Sequence, residues 1–322
     1  MKAVVQDAYG SLDLLRLEEM PRPTPGDDEV LIRVRAAAVT LSDTITRTGR
    51  PLVARFFTGL LRPRQQIQGS EFAGEIAAVG RDVTRFETGD EVFGVTGSAC
   101  GCFAEFMTMP EDGLLAIKPT NTTFDEAASV CGALAAWNFL HEKANVQAGQ
   151  SVLVNGASGA IGTAAIQVAK HLGARVTGVC STGELELVES LGADEVINDT
   201  REDFLRNGEL YDVIFDAEST SSYWRSRRSL AEGGAYLRTF PGPVILLQML
   251  WTSRVGRRRA IVSATGLMPI SKRRIFLDDV IKLVETGAMR SVIDQSFPLE
   301  RLADAYRHAE RGTQRGTVVV RI

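Results

Sequence analysis

Ser151-Val-Leu-Val-Asn-Gly-Ala-Ser-Gly-Ala-Ile-Gly162 decides how this chain is read. Ser151 to Asn155 is a short apolar run of the kind that forms a buried parallel strand. Gly156 to Gly162 is a turn of small residues. Beyond it Ile161, Ala165, Val168, Ala169 and Leu172 recur at helical spacing on one face. Leu172-Gly173 ends that helix, and Ala174 to Cys180 reads as a second strand. Strand, glycine turn, helix and strand in this order form a unit where a dinucleotide's pyrophosphate rests on a helix N-terminus. The spacing is Ala157-x-Gly159-x-x-Gly162, with alanine at the first glycine's place. Gly159 lets backbone approach the phosphates, and Gly162 lets helix and strand pack closely. The candidate cofactor residues here are Ala157, Ser158, Gly159, Ala160, Ile161 and Gly162. An incidental glycine-rich turn is the competing reading.

At 322 residues two domains are expected, and 44% hydrophobic with 24% charged residues is ordinary for a globular enzyme with a sizeable core. A net charge of −4 gives no argument for nucleic acid or an anionic membrane surface, and neither is expected as a partner. The four cysteines, Cys100, Cys102, Cys131 and Cys180, are too sparse for a disulfide scaffold. The N-terminus enters a strand-like run with no signal peptide, and Val244 to Trp251 is too short to span a bilayer. A cytoplasmic enzyme is expected.

Working outward, residues 1 to about 120 read as short strands broken by turns. Val4-Val5, Glu29 to Arg35, Phe72 to Val79 and Glu91 to Phe93 are the clearest runs. Asp125 to Glu142 reads as helical. After the glycine unit, Glu195 to Ile197, Tyr211 to Asp216, Gly234 to Arg238 and Ala260 to Ser263 read as further strands alternating with helices. Arg274 to Thr286 and Leu299 to Arg311 read as helices, and Ile293 to Phe297 and Gly316 to Ile322 as strands. The expected fold class is α/β, a doubly wound parallel sheet inserted into a β-rich domain. The expected boundaries are 1–122 and 269–322 for the β-rich domain and 123–268 for the nucleotide domain.

With these residues in view the chain resembles the medium-chain dehydrogenase/reductase superfamily, in its zinc-free quinone oxidoreductase branch. The resemblance rests on Ala36-Ala-Ala-Val-Thr-Leu-Ser-Asp43, Gly69-Ser-Glu-Phe-Ala-Gly74, Val79-Gly80 and Gly89-Asp-Glu-Val-Phe-Gly94. It extends through the glycine turn to Cys180-Ser-Thr182 and Leu191-Gly-Ala-Asp-Glu-Val-Ile197. It implies a GroES-like β-domain carrying a Rossmann domain, and hydride transfer from a nicotinamide cofactor, usually NADPH, to quinones or electron-poor alkenes and carbonyls. Zinc members of the superfamily carry cysteine where Thr40 stands and histidine where Ser70 stands, and neither residue here is an ordinary zinc ligand. Cys100 and Cys102 read as loop cysteines, and the three histidines are scattered. No metal is expected.

A site without a metal suits conjugated acceptors, because the developing charge delocalises and solvent can protonate it. The expected substrate is a small apolar conjugated molecule. Phe56, Phe57, Leu60 and Leu61, with Leu246, Leu247, Leu250 and Trp251, are candidates to line an apolar site; core or homodimer contact is the alternative. Thr40, Ser42 and Asp43 are the candidate catalytic residues, with a structural carboxylate as the plainer reading of Asp43. Ala135 stands where relatives place a threonine, Gly183 where they place Lys or Arg, and Asp216-Ala-Glu-Ser219 where they place Asp-x-x-Gly. Phe240, Pro241 and Gly242 are candidates for backbone contacts to the nicotinamide. The basic clusters around Arg225 to Arg228, Arg254 to Arg259 and Lys272 to Arg274 read as solvated faces.

At the end of the second strand, Cys180, Ser181 and Thr182 stand where NAD enzymes carry an acidic residue for the ribose 2′-hydroxyl. A neutral thiol there predicts NADPH, with a modest preference because Gly183 offers no cation, and with NADH allowed. The rival readings are an enoyl-thioester or enone reductase, and a cofactor-binding sensor or structural protein with little turnover.

Overall fold

The structure, a computed structural model, describes residues 1–130 and 132–322, so Cys131 lies outside the described residues. In chain order the first elements are β1 (Lys2–Val5), β2 (Arg16–Glu19), β3 (Glu29–Val39), α1 (Leu41–Thr48) and α2 (Arg55–Thr58). β4 (Glu71–Val79), β5 (Glu91–Val95), β6 (Phe106–Pro110), β7 (Leu114–Ile117) and α3 (Phe124–Ser129) follow. Next come α4 (Gly132–Trp137), β8 (Ser151–Asn155), α5 (Ala160–His171), β9 (Arg175–Cys180), α6 (Leu185–Ser190) and β10 (Glu195–Asn198). β11 (Tyr211–Asp216), α7 (Tyr223–Ser226), β12 (Leu230–Arg238), α8 (Pro243–Thr252), β13 (Arg259–Val262) and α9 (Ile270–Glu285) complete that region. β14 (Ile293–Pro298), α10 (Leu302–Ala309) and β15 (Thr317–Arg321) close the chain.

Two compact units result, Met1–Cys131 with Ser291–Ile322, and Gly132–Arg290. In the first, a seven-stranded sheet has the order β14-β15-β3-β4-β5-β7, with β6 also paired to β3. The closing strand β15 lies antiparallel to β3, pairing Val319 with Ala38, so the tail does return to the first unit. Alternate residues of β3, among them Val30, Ile32 and Val34, point into a core with Phe72, Ile76, Phe103 and Tyr306.

The second unit holds a six-stranded parallel sheet of order β10-β9-β8-β11-β12-β13, the 3-2-1-4-5-6 order of a dinucleotide-binding fold. Val152, Leu153 and Val154 of β8 are fully buried, as a strand covered on both faces requires.

Three sequence expectations shift. The first unit extends beyond residue 122 to take in α3, which packs on β3, β4 and β15. The helix read over Asp125 to Glu142 is α3 and α4, followed by a π-helical turn over Asn138–Lys143. The return to the first unit begins at Ser291 rather than at residue 269. The reason is that α9 buries Phe276, Leu277, Val280, Leu283 and Val284 and packs on α4 in the second unit.

Candidate functional site

The glycine turn sits at the C-terminal end of β8. Gly156 has φ +77°, a conformation that favours glycine, and it reverses the chain toward α5. A Cβ on Gly162 would lie 1.9 Å from the Gly156 carbonyl oxygen, so close packing here admits no side chain. Gly159 is different: it caps α5, and its nearest neighbours to an added Cβ are 3.7 Å away. A glycine with only ordinary contacts around it, beside a helix N-terminus whose first N–H groups lack helical partners, makes a cradle that fits a pyrophosphate. Ala157 is fully buried, its N–H bonded to the Val179 carbonyl at 2.9 Å; Ala160 and Ile161 form the first turn of α5.

At the end of β9 the Cys180 side chain is buried, and burial, then Glu184, Asp199 and Glu189, push its thiol up to about 12. The thiol is therefore neutral, as the sequence suggests. The strand end is nevertheless not free of carboxylate. Glu184 turns back so that its Oε2 accepts from the Ser181 N–H at 3.1 Å, the carboxylate half of a capping box, and from the Ser158 hydroxyl at 2.8 Å. The Thr182 hydroxyl is engaged with Asn198 Nδ2 at 2.8 Å and Thr200 Oγ1 at 2.9 Å. Sequence reasoning missed Glu184; its signal was the Ser181-x-x-Glu184 spacing.

β8 and β11 are neighbours where the strand order reverses, the place where ligands bind in such sheets. Asn155 Nδ2 donates to Asp216 Oδ1 at 2.7 Å across that point, and the Tyr236 hydroxyl donates to Asp216 Oδ2 at 2.6 Å. Glu218, just beyond, leans over the glycine turn: an added Cβ on Gly156 would meet its Cγ at 2.4 Å. Desolvation, then the charges of Glu184, Asp199 and Asp216, hold its carboxyl above the ordinary range. The Phe240 N–H is already bonded to Ser219 Oγ at 3.1 Å, and Pro241 has none. Of that segment, Gly242 at the cap of α8 retains a backbone donor without a partner among the described residues.

The first unit gathers the other candidates around α1. Thr40 caps the helix and Asp43 is the third helical residue, so each reaches the other's backbone. Asp43 Oδ2 accepts from the Thr40 N–H at 2.8 Å and the Thr40 hydroxyl at 2.6 Å, while Oδ1 accepts from the Ser70 hydroxyl at 2.9 Å. Burial raises the Asp43 carboxyl to about 6, against these hydrogen bonds, which favour its charged form. Neighbouring Glu71 is half-buried and has no side-chain hydrogen bond among the described residues; burial and then the Asp43 charge raise it to about 8. Asp43 is thus spent on positioning Thr40 and Ser70. The Thr40 hydroxyl, its hydrogen directed at Asp43, offers only an acceptor. Ser42 is exposed and keeps its hydroxyl hydrogen free among the described residues.

Cys100 and Cys102 are buried free thiols, and among the described residues no three His, Cys, Asp or Glu side chains group as a metal site. Phe56, Phe57, Leu60 and Leu61 in the first unit are exposed, as are Leu246, Leu247, Leu250 and Trp251 in the second, so none is a core residue. The basic clusters are partly paired, Arg225 with Asp203, Arg257 with Glu232 and Lys272 with Glu142. Among the described residues no helix is long and apolar enough to cross a membrane.

A β-rich unit with the return strand β15, and a 3-2-1-4-5-6 sheet bearing a glycine turn, define a dehydrogenase/reductase of the GroES-like and Rossmann type. The family model for an alcohol dehydrogenase GroES-like domain matches residues 26–119, and that for a zinc-binding dehydrogenase matches residues 191–320. A 2-methylene-furan-3-one reductase from Solanum lycopersicum is 32% identical, over 99% of this chain and 79% of its own. An NADPH-dependent alkenal/one oxidoreductase of Arabidopsis thaliana, chloroplastic, is 32% identical over the same shares, 99% and 79%. The quinone oxidoreductase structure from Coxiella burnetii superposes with a TM-score of 0.86 at 28% identity, covering 100% of this chain and 99% of that one. The chain belongs to the medium-chain dehydrogenase/reductase superfamily, in its quinone oxidoreductase branch. It is an oxidoreductase.

Proposed function

We propose that this chain transfers a hydride from NADPH to quinones or other conjugated carbonyl and alkene acceptors, without zinc. The observation that carries the zinc-free part is the Thr40–Asp43–Ser70 arrangement. Both hydroxyls at the positions where zinc relatives hold ligands donate to one carboxylate at 2.6 and 2.9 Å. The relatives named for alkenal/one and 2-methylene-furan-3-one reduction support conjugated acceptors, and the first supports NADPH.

The bound nicotinamide supplies the hydride. Ala157 to Gly162 and the N-terminus of α5 hold the pyrophosphate, with Cys180, Ser181 and Thr182 at the adenosine ribose and the Phe240–Gly242 backbone near the nicotinamide. Ser42 donates to the acceptor's oxygen, and Asp43 fixes Thr40 beside it. No acid/base dyad is needed, because a conjugated enolate or quinol anion spreads its charge and takes its proton from water. A reducing compartment such as the cytoplasm agrees with the free thiols Cys100, Cys102 and Cys180. A homodimer agrees with the exposed apolar face of α8, including Leu247 and Leu250.

Steady-state NADPH oxidation with a panel of quinones, enones and enoyl thioesters tests the reading. Turnover with quinones and enones is expected. Turnover confined to enoyl thioesters moves the substrate class, and tight NADPH binding with no turnover on any acceptor replaces the enzyme with a sensor.

A further inference from the structure

At the end of β9 the acidic group comes from the following turn, not from the strand itself. Cys180 closes β9 without charge, but Glu184, four residues on, is folded back onto that corner by Ser181 and Ser158. Ser181 follows β9 directly and Ser158 belongs to the glycine turn, so the carboxylate bridges the two segments that flank an adenosine ribose in this fold. Glu184 is 8% exposed, and only its Oε2 is bonded; Oε1 has no donor among the described residues. Oε1 is not one of the buried unpaired oxygens, so it faces accessible space where an incoming hydroxyl can donate to it. The charges that act on neighbouring Cys180 are Glu184, Asp199 and Glu189, all acidic, and Gly183 brings no side chain.

We infer that Glu184 is the specificity-determining residue for the ribose 2′ position. Its Oε1 accepts the 2′-hydroxyl of NADH, and its charge opposes the 2′-phosphate of NADPH. The enzyme accordingly uses NADH alongside NADPH, with little discrimination between them. The geometry differs from that of an acid on the strand itself, because the carboxylate arrives from the following turn. The inference rests on the reading above that a nicotinamide dinucleotide binds at this turn.

Calorimetric titration of the purified chain with NADH, NADPH, ADP and 2′,5′-ADP tests it without any acceptor present. The last two isolate the 2′-phosphate from the nicotinamide. Wild type should bind 2′,5′-ADP within about tenfold of ADP. Glu184→Gln keeps an oxygen acceptor for Ser181 and Ser158 while removing the charge. That variant should tighten 2′,5′-ADP and NADPH by roughly 10- to 100-fold, the range of one charge-assisted hydrogen bond, and leave ADP within about threefold. Both nucleotides bound but a ratio unmoved by Glu184→Gln overturns the assignment of Glu184. So does a wild type that prefers 2′,5′-ADP by more than about 100-fold, whether or not the variant folds. A wild type that binds none of the four overturns the underlying reading, and this assignment with it.

Discussion

Ser158 donates its hydroxyl to the Glu184 carboxylate at 2.8 Å and so ties the glycine turn to the turn after β9. One contact therefore couples the turn proposed to hold the pyrophosphate to the residue proposed to meet the ribose. A cation introduced next to Glu184 should change which cofactor the corner accepts. Gly183→Arg is expected to raise kcat/KM for NADPH by about tenfold and to leave NADH within about twofold, since a guanidinium pairs with the 2′-phosphate. The ratio of kcat/KM for the two cofactors is the measurement, and an unchanged ratio would remove the ribose from this corner.

The two motif glycines should fail differently. The Cβ of Gly159→Val would meet no atom nearer than 3.7 Å, so its melting temperature should stay close to wild type while NADPH affinity falls at least 100-fold. Gly162→Ala places a Cβ 1.9 Å from the Gly156 carbonyl, which forces backbone apart and should cost about 1–3 kcal/mol of stability. Thermal melts and NADPH titrations of both variants separate the two effects. A Gly159→Val protein that binds NADPH normally would put the nucleotide elsewhere.

Around α1, the hydrogen-bond directions distinguish Ser42 from Asp43. Ser42→Ala removes the free donor and should lower kcat for an enone by about tenfold with little change in melting temperature. Asp43→Asn keeps the size of the side chain but weakens the hold on Thr40 and Ser70, so it should lower stability as well as rate. Paired melts and kinetics check this; Ser42→Ala kinetics indistinguishable from wild type would take Ser42 out of the site.

The raised carboxyls set a pH dependence. Asp43 at about 6 and Glu71 at about 8 both lie above the ordinary carboxylate values near 4. The folded state binds these protons more tightly than the unfolded chain. The stability they confer is complete below about pH 4 and is lost as pH rises through 6 and then 8. Glu71→Gln should escape its share of that loss. Because Glu71 is half-buried and partly screened, a gain of about 1 kcal/mol is expected, on the order of 2–4 °C in Tm. The gap between variant and wild type should widen from pH 4 and level off above pH 8; a gap independent of pH would assign the carboxyl an ordinary titration.

Thr40 and Ser70 engaged with Asp43 make activity insensitive to chelators the expected result. Quinone reduction after dialysis against EDTA or 1,10-phenanthroline should match untreated enzyme. Stoichiometric zinc by metal analysis, needed for turnover, would reverse the zinc-free reading.

The sequence by itself determined the features that depend on neighbours along the chain. Val152 to Val154 gave a buried strand, the glycines a turn, and Ile161 to Leu172 a helical face, because side-chain period and backbone freedom are local properties. The motifs around Ala36, Gly69 and Gly89 were sufficient to indicate the family for the same reason. What the sequence left open are relationships between segments far apart in it. β15 could find β3 only through packing, since nothing in Thr317 to Arg321 names its partner. α9 reads as an amphipathic helix either way, and only its buried face against α4 assigns it to the second unit. Thr40 stood as a candidate catalytic hydroxyl until Asp43 claimed its hydrogen, and Cys180 left the end of β9 looking uncharged until Ser158 and Ser181 drew Glu184 onto it. Residue type and spacing supply the groups, whereas the direction of each hydrogen bond and the place of each carboxylate are fixed only when distant backbone closes around them.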